Sequence, residues 1–281
     1  MDLGLFGPDS VTWRVHEEPI LFVGGLRSLY LQALHPRAMA GVAQNSHYKT
    51  DTWGRLTRTA QYVGTTVYGT TAEATEAGAR LRRFHASMTA VDTDTGAEFR
   101  IDEPHLLRWV HVTEVESFIT TAVRAGVSLS PGEIDAYYAE QRRTAALVGL
   151  DPESVPGSAA EVAAYYEAIR PELKLTKEAA EAMVFLTAPP VPWKQLSLPW
   201  RLTLEVGPPR LAYFAVATTA LGLLPPWARR LYGGLGLRYA DHGAALSVRA
   251  MRLALAAVPR RYMEGPIYQA AMARAAQAAA A

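Results

Sequence analysis

Apolar residues recur at three- and four-residue spacing along most of this chain, and the alternation that marks a half-buried strand is nearly absent. Such a chain folds as packed amphipathic helices, so the expected class is all-α, a single multi-helix domain of roughly ten helices. Helices are expected over residues 19–43, 52–68, 71–91, 103–125, 131–148, 158–169 and 177–186, then 209–223, 227–232, 240–257 and 266–276. Local chemistry marks several ends. Asp51 and Ser130 can cap first-turn N–H groups, and Ser130 is followed by Pro131 at the first helical position and Glu133 at the third. Gly126 and Gly149 suit helix ends, where a left-handed residue is tolerated. Pro36 should break the first long helix just after His35, because its ring removes a donor and clashes with the preceding turn.

One domain is expected over residues 1–281, with its core over about 11–257 and an alanine-rich tail, 270–281, that frays. The proline-rich segment 188–209 holds Trp193, Trp200 and several leucines, so it reads as an ordered crossover and not as a flexible linker. Residues 211–228 carry no charge and barely reach spanning length. Gly222 and the Pro225–Pro226 pair interrupt them, so a buried core helix is expected, with no stable membrane span.

Composition narrows the function. The chain has no cysteine, which excludes disulfides, thiolate metal sites, iron–sulfur clusters, cysteine nucleophiles and thiolate-ligated haem. A net charge of +1 without any block of like charge argues against nucleic acid as a partner, since phosphate binding needs a concentrated basic surface. The first ten residues carry Asp2 and Asp9 and no apolar run, so no signal peptide is read there and a cytoplasmic location is expected.

With thiolates excluded, histidine is the natural cofactor ligand, and the chain has seven. His85 shares a helical stripe with Leu81 and Met88. His111 lies between Leu107 and Val115, with Phe118 further along the same face. A histidine on an apolar face is either a core residue bonded to a carbonyl or a ligand. Helical spacing also groups Arg55, Arg58, Thr59 and Tyr62 opposite Leu56, Ala60, Val63 and Val67. That polar group is either a solvated helix face or a pocket wall offering fixed donors to an anion or a bound oxygen species. A di-iron site wants two Glu-x-x-His pairs, and the chain offers only the reversed His111-Val-Thr-Glu114. No His-Glu-x-x-His, Walker loop, nucleophile elbow or dinucleotide fingerprint occurs, and Gly233-Gly-Leu-Gly236 reads as a turn.

Taken in order, several segments carry a resemblance. They are Thr12-Trp-Arg-Val15, Gly24-Gly-Leu-Arg27 running into Leu31-Gln-Ala-Leu-His-Pro36, Arg55-x-x-Arg-Thr59, Arg83-Phe-His85 and Leu107-Arg-Trp-Val-His111. Together the chain resembles the rubber oxygenase catalytic domain family, which includes a fungal oxygenase of the mycophenolic acid pathway. The resemblance implies an all-α fold around haem b (iron protoporphyrin IX) and an oxidative reaction on a small molecule with dioxygen or peroxide. By position, His85 matches the proximal iron ligand, and Arg55, Arg58 and Thr59 match the polar trio over the other haem face. His111 matches a histidine whose role is left open. Arg82, His111 and Tyr62 are expected around the cofactor, Arg82 or its neighbour Arg83 as a partner for a propionate.

Two positions depart from the rubber-cleaving members. Those have lysine where Arg58 stands, and arginine stays protonated and cannot ligate iron, so the distal position should hold water or nothing. They also use a glutamate upstream of the arginine motif, whereas residues 20–50 contain no acidic side chain here. A small intracellular substrate is therefore expected in place of rubber. The rival expectations are a non-catalytic haem carrier or sensor and a peripheral membrane or lipid-binding helical protein. Homo-oligomerisation is left open.

Overall fold

The computed structural model describes residues 1–189, 207–234 and 238–280. Thirteen α-helices and one two-stranded hairpin occur among them. The first helices are α1 (Val11–His16), α2 (Leu21–Ala33), α3 (Pro36–Asn45), α4 (Thr52–Tyr68) and α5 (Thr71–Ala86). After the hairpin β1 (Thr89–Val91) and β2 (Glu98–Arg100) come α6 (Pro104–Arg124), α7 (Pro131–Leu147), α8 (Ala159–Ile169) and α9 (Lys177–Thr187). The last are α10 (Pro208–Gly222), α11 (Pro226–Leu231), α12 (Arg238–Ala256) and α13 (Pro266–Ala279).

Helices α2 and α6 form the spine of the core. Val23, Tyr30 and Leu31 of α2 pack with Trp109, Val112 and Ile119 of α6, all buried. The close approach depends on Gly24. A Cβ there would lie 3.0 Å from the Ser117 carbonyl and 3.1 Å from Thr121 Oγ1. Arg27, one turn on, is 1% exposed and makes two contacts with Glu116, one with Ser117 Oγ and one with the Leu223 carbonyl. The Gly24-Gly-Leu-Arg27 segment is thus a helix-packing device.

The first long helix does break at Pro36. His35 is the extended N-cap of α3 and Pro36 its first residue. The Ser130–Glu133 capping box forms as expected.

Three features differ from the sequence expectation. Helix α5 stops at Ala86, and β1 pairs antiparallel with β2, Ala90 facing Phe99. Both of those residues are buried against Ala40 and Leu106, so tertiary packing recruits the segment as strand. The short helix α1 was also not anticipated; its N-cap Ser10 accepts from Trp13 N.

The alanine-rich tail does not fray. Helix α13 extends to Ala279, with Ala271 fully buried beside Trp13, Val67 and Tyr68 and Arg274 donating to the Tyr68 carbonyl. Alanine suits that close contact because it brings no bulk.

Most of the segment 188–209 expected as a crossover lies outside the described residues, as do Leu235 and Gly236 of the expected turn. No described helix is long and apolar enough to cross a membrane. Leu223, Leu224 and Ala228, from the stretch considered as a span, are buried in the main core.

Candidate functional site

The α4–α5 hairpin carries most of the expected site residues. Asp51 caps α4 by accepting from Gly54 N at 3.1 Å, and Thr70 and Glu73 form a capping box that starts α5. Helix α5 is held to the end of α7. A Cβ on Gly78 would lie 2.8 Å from the Leu147 carbonyl, and Arg82 donates to that same carbonyl. Helix α4 is held by α1 and α13. Leu56 and Val63 carry α4 onto the main core, which includes the buried face of α6.

Several polar groups of α6 and its neighbours lie deep in the molecule. His111 and Glu114, three residues apart on α6, lie far inside the molecule yet keep part of their surface accessible. Burial pushes the His111 imidazole down to about 4 and lifts the Glu114 carboxyl to about 7. Across from Glu114, the Tyr62 hydroxyl is buried without a hydrogen-bond partner, and its phenol is raised first by burial and then by Glu114. Tyr137 and His16 extend the same region, with His16 Nε2 3.1 Å from Tyr137 Oη. Burial pushes the His16 imidazole down to about 3. An orphaned hydroxyl and a carboxyl titrating near neutrality are costly in a finished core. They are what a ligand site looks like.

His85 sits one residue before the end of α5 and is half-buried. Burial lowers its imidazole below the usual value, opposed by Asp102. No hydrogen bond reaches the ring from the described residues, so a neutral lone pair is uncommitted.

An opening adjoins α4. Its cavity volume is about 70 Å³, and it is lined mainly by apolar atoms of Leu29, Val110, Phe185 and Leu186 with Arg55 and Thr59 on one wall. Burial lowers the Arg55 guanidinium, Tyr48 opposes this, and Arg58 adds to it. No carboxylate among the described residues forms an ion pair with Arg55.

The structure therefore brings Arg55 and Thr59 together and leaves Arg58 outside. Arg58 Nη2 meets Asp51 Oδ2 at 3.0 Å, with its side chain 65% exposed. Arg82 is engaged with α7, and Arg83 pairs with Glu76 at 3.2 Å on the surface. The sequence reading passed over Glu114, Tyr137 and His16. Its signal for Glu114 was the His111-x-x-Glu114 spacing, noted only as half of a di-iron pair.

Fold and site together define an all-helical domain with uncompensated polar groups in its interior. Residues 13–258 match the family described as ER-bound oxygenase mpaB/B'/Rubber oxygenase, catalytic domain, and the chain belongs to it. No curated protein and no solved structure matches the chain.

Proposed function

We propose that this protein is a haem b-dependent oxygenase of a small organic substrate, with His85 as the iron ligand and dioxygen or peroxide as the oxidant. The observation that carries this is the pair of uncompensated polar groups inside the molecule, the partnerless Tyr62 hydroxyl and the raised Glu114 carboxyl, together with an apolar opening that has Arg55 on its wall. A flat apolar cofactor needs apolar surroundings, a neutral imidazole and a cation without its own carboxylate. His85 and Arg55 meet those needs. When bound, haem supplies activation of the oxidant at iron, chemistry that a cysteine-free set of side chains does not provide.

The chain's own residues do the rest. Arg55 places a positive charge and Thr59 a hydroxyl on the wall of the opening, where an anionic oxygen or carboxylate can be held. Glu114, titrating at about 7, can both release and accept a proton beside Tyr62. His111 stays neutral at pH 7 and serves as a fixed polar wall. The apolar lining of the opening excludes water and favours a hydrophobic substrate.

The test is an absorption spectrum of protein made with ample haem, which should show a Soret band and haem in proportion to chain. His85→Ala should remove haem while leaving helical circular dichroism intact, and His111→Ala should have the milder effect. Colourless wild-type protein that takes up no added haem overturns the proposal; reversed losses overturn the ligand assignment.

A further inference from the structure

Away from that interior, three side chains from distant segments converge. His35 is the N-cap of α3, His105 is the second residue of α6, and Glu172 lies in the 3-10 turn Arg170–Glu172 after α8. His105 Nε2 and Glu172 Oε2 are 2.7 Å apart, and His35 Nε2 is 3.5 Å from the same oxygen. One potential ligand atom from each residue lies within 4.8 Å of the other two.

His35 distinguishes this group from an ordinary surface pair. It is 2% exposed, and its Nε2 is buried without a hydrogen-bond partner while facing Glu172. A buried imidazole nitrogen left unpaired has a cost, and a native structure tolerates it where something else binds. The ring is held from behind: Trp109 lies with its centroid 6.2 Å away and donates to the Gln32 carbonyl at 3.2 Å. Lys174 N donates to the Leu34 carbonyl at 2.9 Å, which fixes the turn carrying Glu172 beside His35.

The geometry points to a divalent metal site of the zinc class, formed by His35 Nε2, His105 Nε2 and a Glu172 carboxylate oxygen with one open coordination position. Two imidazoles and a carboxylate are a ligand set that zinc accepts. In a tetrahedral zinc site neighbouring ligand atoms stand about 3.3 Å apart, given bonds of about 2.0–2.1 Å. The His35–Glu172 spacing is already close to that, the His105–Glu172 pair would lengthen by roughly half an ångström, and the two imidazoles close to the same spacing from within 4.8 Å. Both movable partners have the freedom, their side chains being 42% and 47% exposed.

Ligation through Nε2 requires the His35 proton to sit on Nδ1, which gives up the contact from Ala38 N. That contact is 3.5 Å long, while the Ser10, Thr70 and Thr176 caps span 3.1–3.2 Å, so little is lost. A metal here ties the α2–α3 junction to α6 and to the turn after α8. It does not depend on the haem reading.

The experiment uses the full-length chain, treated with chelator and desalted, then titrated calorimetrically with zinc alone. One saturable site is expected. His105→Ala and Glu172→Gln should each weaken it by at least about tenfold, and the double variant should abolish it. The partly exposed ligands carry the test because replacing buried His35 disturbs a helix junction. Zinc should also raise the thermal midpoint of the wild type and not of the double variant. Absence of saturable uptake by the wild type, or unchanged uptake by the double variant, overturns the inference. A chain that binds no haem yet passes this test leaves it standing.

Discussion

Two arginines on two helices show how differently the molecule treats a buried charge. Arg27, on α2, is 1% exposed and fully engaged: with Glu116, with Ser117 Oγ and with the Leu223 carbonyl, while Tyr166 donates to Glu116 at 3.0 Å. Arg55, on α4, is half-buried against an apolar opening with no carboxylate paired to it, and its environment lowers its affinity for a proton. The first arrangement locks α2 to α6 and to the end of α10. The second leaves binding capacity unspent. Around Arg27 the polar groups complete one another; around Arg55, Tyr62 and Glu114 they lack a partner among the described residues.

The largest effect should come from breaking the completed side. Arg27→Met strands Glu116 inside the core, and losing one partner of a buried pair costs about 3–5 kcal/mol. Urea unfolding at pH 7 measures it, and a loss below about 1 kcal/mol would remove Arg27 from the scaffold. Next is Glu114. Its folded-state value is about 7 against an ordinary 4.5, so the native chain holds this proton more tightly than the unfolded one. Stability from this group is therefore fully present below pH 4.5 and lost as pH rises through about 7. Glu114→Gln should match wild type near pH 4.5 and exceed it at pH 8. The gain is at most about 3 kcal/mol, reduced by water reaching the accessible face. Parallel pH–stability curves for the two proteins would show that Glu114 is not held in a desolvated site.

This contrast was only partly legible in the sequence. Helix starts were, since the Ser130–Glu133 box and the Pro36 break depend on neighbours in the chain. Arg55 and Thr59 share one wall of the opening because four residues make slightly more than one turn, about 400°. Arg58 does not line it. Three residues turn about 300°, which sets it on the far side of Arg55 from Thr59, and only the packing of neighbours decides which flank meets the opening. The β1–β2 hairpin and the burial of Ala271 depend on contacts with α3, α6 and α4, so no local pattern announces them. The same holds for His35, His105 and Glu172, which no short motif joins. The iron-ligand assignment of His85 came from resemblance, and the structure adds an uncommitted imidazole at that position.

A smaller effect tests the unspent side. In haem-loaded protein, Arg55→Ala should weaken azide or cyanide binding by about tenfold, the loss of one charge-assisted hydrogen bond of roughly 1.4 kcal/mol. Stability should barely change, because no ion pair is broken. Unchanged anion affinity would place Arg55 away from the reacting end of the opening, as a partner for a carboxylate of the cofactor or substrate.

The smallest effect belongs to Arg58. Its pair with Asp51 joins side chains 65% and 50% exposed, and such a pair contributes about 0–1 kcal/mol. Arg58→Ala should therefore shift the unfolding midpoint little and leave anion affinity within about twofold of wild type, below half a kcal/mol. The family resemblance set Arg58 with Arg55 and Thr59 over the cofactor, where its removal would weaken anion binding by about tenfold. Asp51→Asn separates the two pictures. Asparagine still caps α4, accepting from Gly54 N as the aspartate does, but it no longer holds the guanidinium by charge. If Arg58 is a surface residue, the variant binds anions as wild type does. If Asp51 restrains a side chain that swings inward when the site fills, Asp51→Asn tightens anion binding and Arg58→Ala cancels the gain. A double-mutant cycle over the two positions reads that coupling directly. Additive, near-zero effects keep the boundary of the site at Arg55 and Thr59, and a coupling of about 1 kcal/mol or more extends it to Arg58.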